Sequence, residues 1–534
     1  MTATIQTLIL LLIVIASVEL AETRLRVPSA ILLMLTGVIL ALIPGLPTLE
    51  LAPELVLLLV LPPIVYSSAV AMSWREFRFN LRPISLLALG CVAFTTVATA
   101  AAAHWVLGLP WPVGFVLGAI ISPPDAVAPL SVARRMQLPR RILVVLEGEG
   151  LANDATALVL YRFAVAAVSA GTFSLGQATA AFASIVVGEI IWGLGVGWLM
   201  LRLRRWVGDP RIEITLSIIT PFLAYWPPEH FGGSGVLATV TAGLYISWNG
   251  LQLISAATRL QGIFFWDFLI YLVEGLVFLT TGLQARTLIA RIGDYPLSEL
   301  AISAVVISAV VIVARFIWVF PAIYLPRWLS RRLRRRDPAP PWQHAFVLAF
   351  TGVRGIVSLA AALAIPFATA AGAPFPHRDL ILFLTFSVIL VTLVGQGLML
   401  PTVIRALGLA HAGRREHEAD KAEECDARRQ AAIVATNRLE ELIASGNFSE
   451  EILEPIRIRQ RHRLEHIEHG NDLDERNRQF RDLHDEIEFQ LIGTERQHIN
   501  EQYRAGALTD VSRRRIEREL DLREAELLNQ RGEE

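Results

Sequence analysis

Runs of mainly apolar residues, each near the roughly 20 needed to cross a bilayer, follow one another from the N-terminus to about residue 410. Short polar stretches separate them. The pattern predicts thirteen membrane helices, near 5–21, 28–45, 53–72, 83–107, 112–132, 140–169, 177–202, 212–227, 233–248, 262–284, 296–325, 343–369 and 379–403. Beyond residue 413 the pattern changes. Acids and bases alternate, with apolar residues at helical intervals as in "RIERELDLREAELL", and Gly446-Asn447, Gly470-Asn471-Asp472 and Gly506 punctuate the run. This predicts three to five amphipathic helices in water. The expected fold is an all-α integral membrane protein, residues 1–410, followed by a soluble helical domain, residues 411–534.

Two of the apolar runs are interrupted. The fifth breaks at Ser122-Pro123-Pro124-Asp125, where proline removes backbone donors and clashes with the preceding turn. The twelfth breaks at Gly352-Val353-Arg354-Gly355. The interruptions lie an odd number of spans apart, so the broken helices run in opposite directions. That is the arrangement of an inverted repeat, with a transport site where the breaks cross near the midplane. A proline kink and two glycines also occur where helices merely pack closely; Asp125 and Arg354 at the breaks favour the functional reading.

Arginine orients the chain. Loops after odd-numbered runs hold Arg24/Arg26, Arg75/Arg78/Arg82, Arg134/Arg135/Arg140/Arg141, Arg202/Arg204/Arg205/Arg211, Arg259 and the run from Arg327 to Arg336. Loops after even-numbered runs ("GLPTLELAP", "LGLPWP", "SAGTFSLGQ", "PPEHFGGS") are mostly bare, Arg286, Arg291 and Arg378 excepted. Positive charge marks the cytoplasmic side, so the N-terminus is expected outside and the tail in the cytoplasm of a cell bounded by this plasma membrane. No basic segment precedes the first apolar run, which reads as a span and not as a cleaved signal.

Composition agrees: 54% of residues are hydrophobic, 18% are charged, and mean hydropathy is +0.49. The formal net charge of −1 hides the division into two parts. Basic residues cluster in membrane loops or alternate with acids in the tail, so nucleic-acid recognition is not expected. Two cysteines, Cys91 and Cys425, give no disulfide framework and no metal-ligand spacing.

The sixth run carries the chemistry. In "LEGEGLANDATALVL" the residues Thr156, Glu149, Asn153, Gly150, Asp154 and Glu147 fall on one side of a helix drawn at roughly 100° per residue. That side must face protein or water, because a charge facing lipid costs several kcal/mol. Glu147 fits the cytoplasmic mouth and Glu149 fits an ion pair, with Arg354 the expected partner. Asp154 lies deepest, beside an amide. A carboxylate in a low-dielectric cavity holds either a proton or a hard cation, not both at once, and that competition is the minimum machinery of cation–proton exchange.

Three stretches, "ISPPDAVAPL", "LEGEGLANDATALVL" and "FTGVRGIVSLAAALAIP", resemble in order and spacing the signature motifs of monovalent cation:proton antiporter family 1, the sodium/proton exchangers. "RVPSAILLMLTGVIL" and "LPPIVYSSA" are similar to the family as well, so the resemblance covers the whole membrane domain. It implies a thirteen-span fold, a homodimer, an elevator-like motion, Na⁺ and H⁺ as substrates and no cofactor. It implies that Asp154 is the ion and proton carrier and that Asn153 is its partner in an Asn-Asp pair tied to electroneutral exchange. Asp125 is the aspartate at the helix crossing, and Glu149 with Arg354 a structural salt bridge. Two residues depart from the family pattern. Pro124 stands where the family has threonine, leaving only its backbone carbonyl as a ligand, and Gly150 stands where the family has serine. Selectivity among Na⁺, Li⁺ and K⁺ is therefore open.

Other intramembrane polar groups are Glu274 and Arg315, which could pair with each other and for which a structural role is weighed above a transporting one, and Glu229-His230, read as an outer loop. Trp105, Trp111, Trp226, Trp248 and Trp318 are read mostly as interfacial anchors. The tail is a regulatory or dimerising domain or a plain solvated appendage. Besides Na⁺/H⁺ exchange, the sequence leaves a K⁺/H⁺ antiporter and a non-transporting membrane sensor as alternatives, with a channel a weaker third.

Overall fold

The structure, a computed structural model, describes residues 2–25, 27–43, 55–170, 175–250, 253–292, 295–369, 372–444, 453–461, 464 and 475–531. The chain forms two compact units, Met1–Arg414 and Arg415–Glu534. Among the described residues regular structure is entirely helical, apart from one isolated bridge between Ala368 and Pro374.

In the first unit the helices are α1 (Thr2–Leu25), α2 (Ser29–Ala41), α3 (Val56–Ala71), α4 (Leu81–Trp105), α5 (Trp111–Ile121), α6 (Val127–Arg135), α7 (Arg140–Ala170), α8 (Leu175–Arg204) and α9 (Pro210–His230). There follow α10 (Val236–Asn249), α11 (Ala256–Arg291), α12 (Leu297–Leu329), α13 (Trp342–Phe350), α14 (Ile356–Leu363) and α15 (Arg378–Ala406), with short helical turns at Trp74–Phe79 and Arg331–Arg336 in the connections. All the apolar runs read from the sequence coincide with helical chain. Six helices, α4, α7, α8, α11, α12 and α15, are long and apolar enough to cross a membrane. Helix is the outcome these sequences dictate, since in lipid every backbone donor and acceptor must be satisfied within the segment. The interruptions fall where the sequence placed them: α5 stops at Ile121 and α6 starts at Val127, while α13 stops at Phe350 and α14 starts at Ile356.

Without a hydrophobic drive between helices in lipid, close approach of small residues binds them together. Helix α2 lies against α11 at Gly37 and Gly282, and a Cβ on either would strike the other helix's backbone. Polar side chains supply the rest. Glu189 of α8 is 3% exposed. Its carboxylate accepts from the backbone amides of Ser234 (2.6 Å), Gly235 (3.2 Å) and Leu237 (3.1 Å), so one helix caps the N-terminus of another. Arg378 donates to the carbonyls of Ile365 (3.0 Å) and Leu363 (3.1 Å) at the end of α14. Its guanidinium also sits 4.2 Å from the Phe367 ring. This exception to the arginine asymmetry thus has a capping task. Glu229 belongs to the last turn of α9, not to a loop, and pairs with Arg162 of α7. Trp105, Trp226 and Trp248 are exposed as anchors should be. Trp318 is not an anchor: it packs over Gly90 and donates to the Leu86 carbonyl at 2.9 Å.

One polar node ties helix ends together. Asp337, between α12 and α13, pairs with Arg82 (2.7 Å), Arg141 (2.8 Å) and Arg327 (2.8 Å). Burial alone would push its carboxyl up, but the hydrogen bond and charge of Arg141, with Arg327 and Arg82 behind, hold it below the usual carboxylate range.

The second unit contains most of α16 (Leu409–Ala444), then α17 (Glu475–Arg504) and α18 (Asp510–Arg531). Gly506, with φ +74°, lets the chain turn between α17 and α18. Arg496 bridges to Asp521 (2.8 Å) and Glu524 (2.6 Å) across that hairpin. Ile492 and Leu520 are buried. The glycine-asparagine breaks at 446–447 and 470–472 lie outside the described residues, as do Arg26, all of "GLPTLELAP" and part of "SAGTFSLGQ".

Candidate cation-binding site

The two interrupted helices meet. The backbone amide of Asp125 donates to the carbonyl of Val353 at 2.7 Å, joining one break to the other. The Asp125 carboxylate accepts from the amide of Val127 (2.9 Å), first residue of α6, and its Oδ2 lies against Gly355, at the N-terminus of α14. Two helix N-termini therefore point at one carboxylate, each offering free N–H groups and the positive end of its dipole. Gly355 makes this geometry possible, since a Cβ there would overlap the Asp125 carboxylate. We expect Gly355→Ala to displace Asp125 and abolish ion-driven proton flux, with little loss of expression. Wild-type flux in that variant would contradict this placement.

The opposite, carbonyl ends of the half-helices face guanidinium groups. Arg354, 1% exposed, donates from Nε to the Ile121 carbonyl at 2.6 Å, where α5 ends, and from Nη1 to the Gly352 carbonyl. Its backbone amide bonds to Thr392 Oγ1 of α15 at 3.0 Å. Arg315 of α12, also 1% exposed, donates to the Leu348 carbonyl of α13 from Nε (3.1 Å) and Nη2 (2.9 Å). The crossing thus carries an acid at its two amide ends and bases at its two carbonyl ends, the sense that helix dipoles favour.

Two pairings drawn from the sequence are corrected here. Glu149 does not pair with Arg354, and Arg315 does not pair with Glu274. Glu149, 2% exposed, is held by both terminal nitrogens of Arg315, with Nη2 to Oε2 at 2.8 Å. A two-pronged fork matches a carboxylate better than a single contact, and Arg354 is drawn instead to the carbonyls that the break strips of helical partners. Glu274, half-buried on α11, makes no ion pair with a described residue and lies within electrostatic reach of Asp125. The signal for Arg315 was in the sequence, a lone cation within an apolar run, but its partner is remote in the chain and periodicity does not name it.

On α7 the polar arc is divided among tasks. Glu147 pairs with Arg134 at the helix mouth, partly exposed. Asn153 is fully buried and donates from Nδ2 to the Pro124 carbonyl at 2.6 Å, so the carbonyl expected to ligate a cation is already engaged. Its Oδ1 is buried with no donor. Gly150 faces Ala126, whose methyl group fills the space a serine side chain would take. Asp154 differs from the others. It is half-buried, stands within electrostatic reach of Asp125, and makes no hydrogen bond or ion pair with any described residue. A carboxylate left open beside a helix crossing is fit to receive a small cation or a proton. No group of three or more metal-ligating side chains occurs among the described residues.

The flank of α7 at Ala152, Ala155 and Thr156 lines an apolar cavity of about 640 Å³ bounded by α4, α8 and α10.

The model of the transmembrane sodium/hydrogen exchanger family matches residues 8–406, three quarters of the chain and all of the crossing just described. The chain belongs to the sodium/hydrogen exchanger family. A Na(+)/H(+) exchanger of Mycobacterium tuberculosis, itself uncharacterized, is 40% identical over 389 residues, covering 72% of this chain and 70% of that one. A sodium, potassium, lithium and rubidium/H(+) antiporter of Bacillus subtilis is 34% identical over 390 residues, 70% of this chain and 57% of that one. In fold, this exchanger-family chain is similar to the solved sodium proton antiporter MjNhaP1 of Methanocaldococcus jannaschii. The TM-score is 0.57 and the identity 20%, over 77% of this chain and 98% of that one. The all-helical architecture and the membership of a secondary-transporter family, rather than an enzyme family, agree with the reading from the sequence.

Proposed function

We infer that the chain exchanges one cytoplasmic monovalent cation for one external proton, with Asp154 as the alternating carrier. The observation that carries this reading is the contrast between the two aspartates. Asp125 accepts from the Val127 amide and lies at two helix ends, whereas Asp154 makes no hydrogen bond with a described residue and stands within electrostatic reach of it. Asn153 Oδ1 is the nearest candidate neutral ligand by sequence, one residue away and lacking a donor. Glu149 is paired by Arg315 of α12 and Asp125 is held at the helix ends, which leaves the charge of Asp154 for one cation or one proton to balance. Asn153 carries no second proton, so exchange is electroneutral. It serves sodium and pH homeostasis.

Na⁺ is the leading substrate, with Li⁺ and K⁺ accepted. No hydroxyl stands at position 150 and the Pro124 carbonyl is shared with Asn153, so fewer ligands enforce a single ion radius. The Bacillus relative, named for four alkali cations, supports a broad range. The remaining apolar helices cross the membrane with the six long ones, giving thirteen spans over residues 1–410, with the N-terminus outside and the tail in the cytoplasm. The arginine asymmetry supports that orientation. The protein works as a homodimer, moving the crossing and α7 as a body against α8 and α10. The cavity between those surfaces supports such sliding. The tail, residues 411–534, regulates or pairs the protomers.

The test is a cation series with purified protein in vesicles carrying an internal pH dye. Gradients of Na⁺, Li⁺ and K⁺ should each drive proton movement, Na⁺ fastest, and choline none. Absence of cation-driven proton movement would reject exchange in favour of a sensor.

A further inference from the structure

The connection between α12 and α13 carries more positive charge than the described residues balance. Arg331, Arg332, Arg334, Arg335 and Arg336 are all exposed and pair with no described residue. On the same side Arg140 pairs with Glu76 and Arg134 with Glu147. Next to the run, Asp337 is shared among Arg82, Arg141 and Arg327, three cations for one anion. Arg82 keeps Nε and Nη1 buried with no acceptor. Two buried guanidinium donors on one side chain can bond the oxygens of an anion.

Depth identifies the anion. Trp328 is 75% exposed, Leu329 70% and Trp342 54%, so they flank the arginine run on both sides with apolar surface that water would not favour. Exposed tryptophans bounding a long apolar helix mark the headgroup level of a bilayer. A basic cluster placed directly beyond a membrane helix, at that level, meets lipid phosphate before it meets any soluble anion.

We propose that the α12–α13 connection binds anionic phospholipid headgroups, with Arg331 to Arg336 collecting them and the Arg82–Arg141–Arg327 node seating one phosphate. The node joins the start of α4, the start of α7 and the end of α12. Lipid bound there braces the helices that carry Asp154 and Arg315. The site is independent of which cation is exchanged, and of whether any is.

The test compares wild type with a variant in which Arg331, Arg332, Arg334, Arg335 and Arg336 are all changed to glutamine, and with the matching all-lysine variant. Each is placed in nanodiscs of phosphatidylcholine alone or with about one third phosphatidylglycerol. Each arginine near an anionic surface is worth roughly fivefold in affinity. Wild type should therefore retain phosphatidylglycerol through delipidation at least about tenfold better than the glutamine variant, and its Tm should rise in the anionic discs. The lysine variant should keep both effects, and all three should share one Tm in phosphatidylcholine. Raised salt should weaken the difference. Equal retention by wild type and the glutamine variant would overturn the proposal. So would an equal rise in Tm on adding inorganic phosphate to wild type in neutral discs, which would make the ligand a soluble anion.

Discussion

Purified Asp154→Asn protein in vesicles is expected to move no protons in response to a Na⁺ gradient, while expressing and melting as well as wild type. An amide occupies the same volume but takes up neither a proton nor a cation's full charge. The Asp154 side chain makes no hydrogen bond or ion pair with a described residue, so the substitution breaks no structural contact. It removes a charge from the interior, which favours the fold if it does anything. The outcome separates the two aspartates. Asp125→Asn should also stop transport, but at a cost in stability, because Val127 loses a charged acceptor and two helix N-termini lose the charge they face. Sodium-driven proton flux retained by Asp154→Asn would remove this residue from the carrier role.

The largest effect on stability is expected at Arg315. Glu149 is 2% exposed and Arg315 1%. Cutting one partner leaves the other charged and buried, which costs about 3–5 kcal/mol in comparable soluble proteins. Arg315→Met and Glu149→Gln should each lower the melting midpoint in detergent by many degrees. The double variant should lose less than the sum, with a coupling of about 1–3 kcal/mol. The matching cycle between Glu149 and Arg354 should show weaker coupling, since Arg354 spends its donors on the carbonyls of Ile121 and Gly352. Coupling stronger in the second cycle than in the first would restore the pairing that the motifs suggested.

Those cycles mark where the sequence stopped being legible. Apolar run length located helical chain, because in lipid the backbone has one economical solution, and proline and glycine located both breaks to within a residue. The polar arc of α7 and its motifs singled out Asp154 and Asp125. Partners were harder. Glu149 and Arg315 are 166 positions apart, and a carboxylate among buried arginines gives no sign in one dimension of which it meets. Motif proximity favoured Arg354; the fold put Arg354 on broken helix ends instead. The capping of α10 by Glu189 was illegible for the same reason, since the carboxylate and the amides it serves lie on different helices. The departures became interpretable only in three dimensions: Gly150 is small because Ala126 lies against it, and Pro124 has lent its carbonyl to Asn153.

Stoichiometry is where the account is most exposed. If Asp154 alone alternates between one cation and one proton, each crossing moves the same net charge in both directions and voltage does no work on the cycle. A second proton would have to ride on another carboxylate. Among the described residues Asp125 stands within electrostatic reach of Asp154 and Glu274 within reach of Asp125, the first tied to helix ends and the second half-buried without an ion-pair partner. Either would make the cycle feel about 2.3 kcal/mol per net charge for each 100 mV. The deciding measurement sets opposed Na⁺ and H⁺ gradients across K⁺-free vesicles containing the purified protein, sets the potential with a gradient of a permeant anion such as thiocyanate, and finds the gradient ratio at which flux reverses. The account predicts reversal where the Na⁺ and H⁺ ratios are equal, at every imposed voltage. A reversal point that moves with voltage would contradict it.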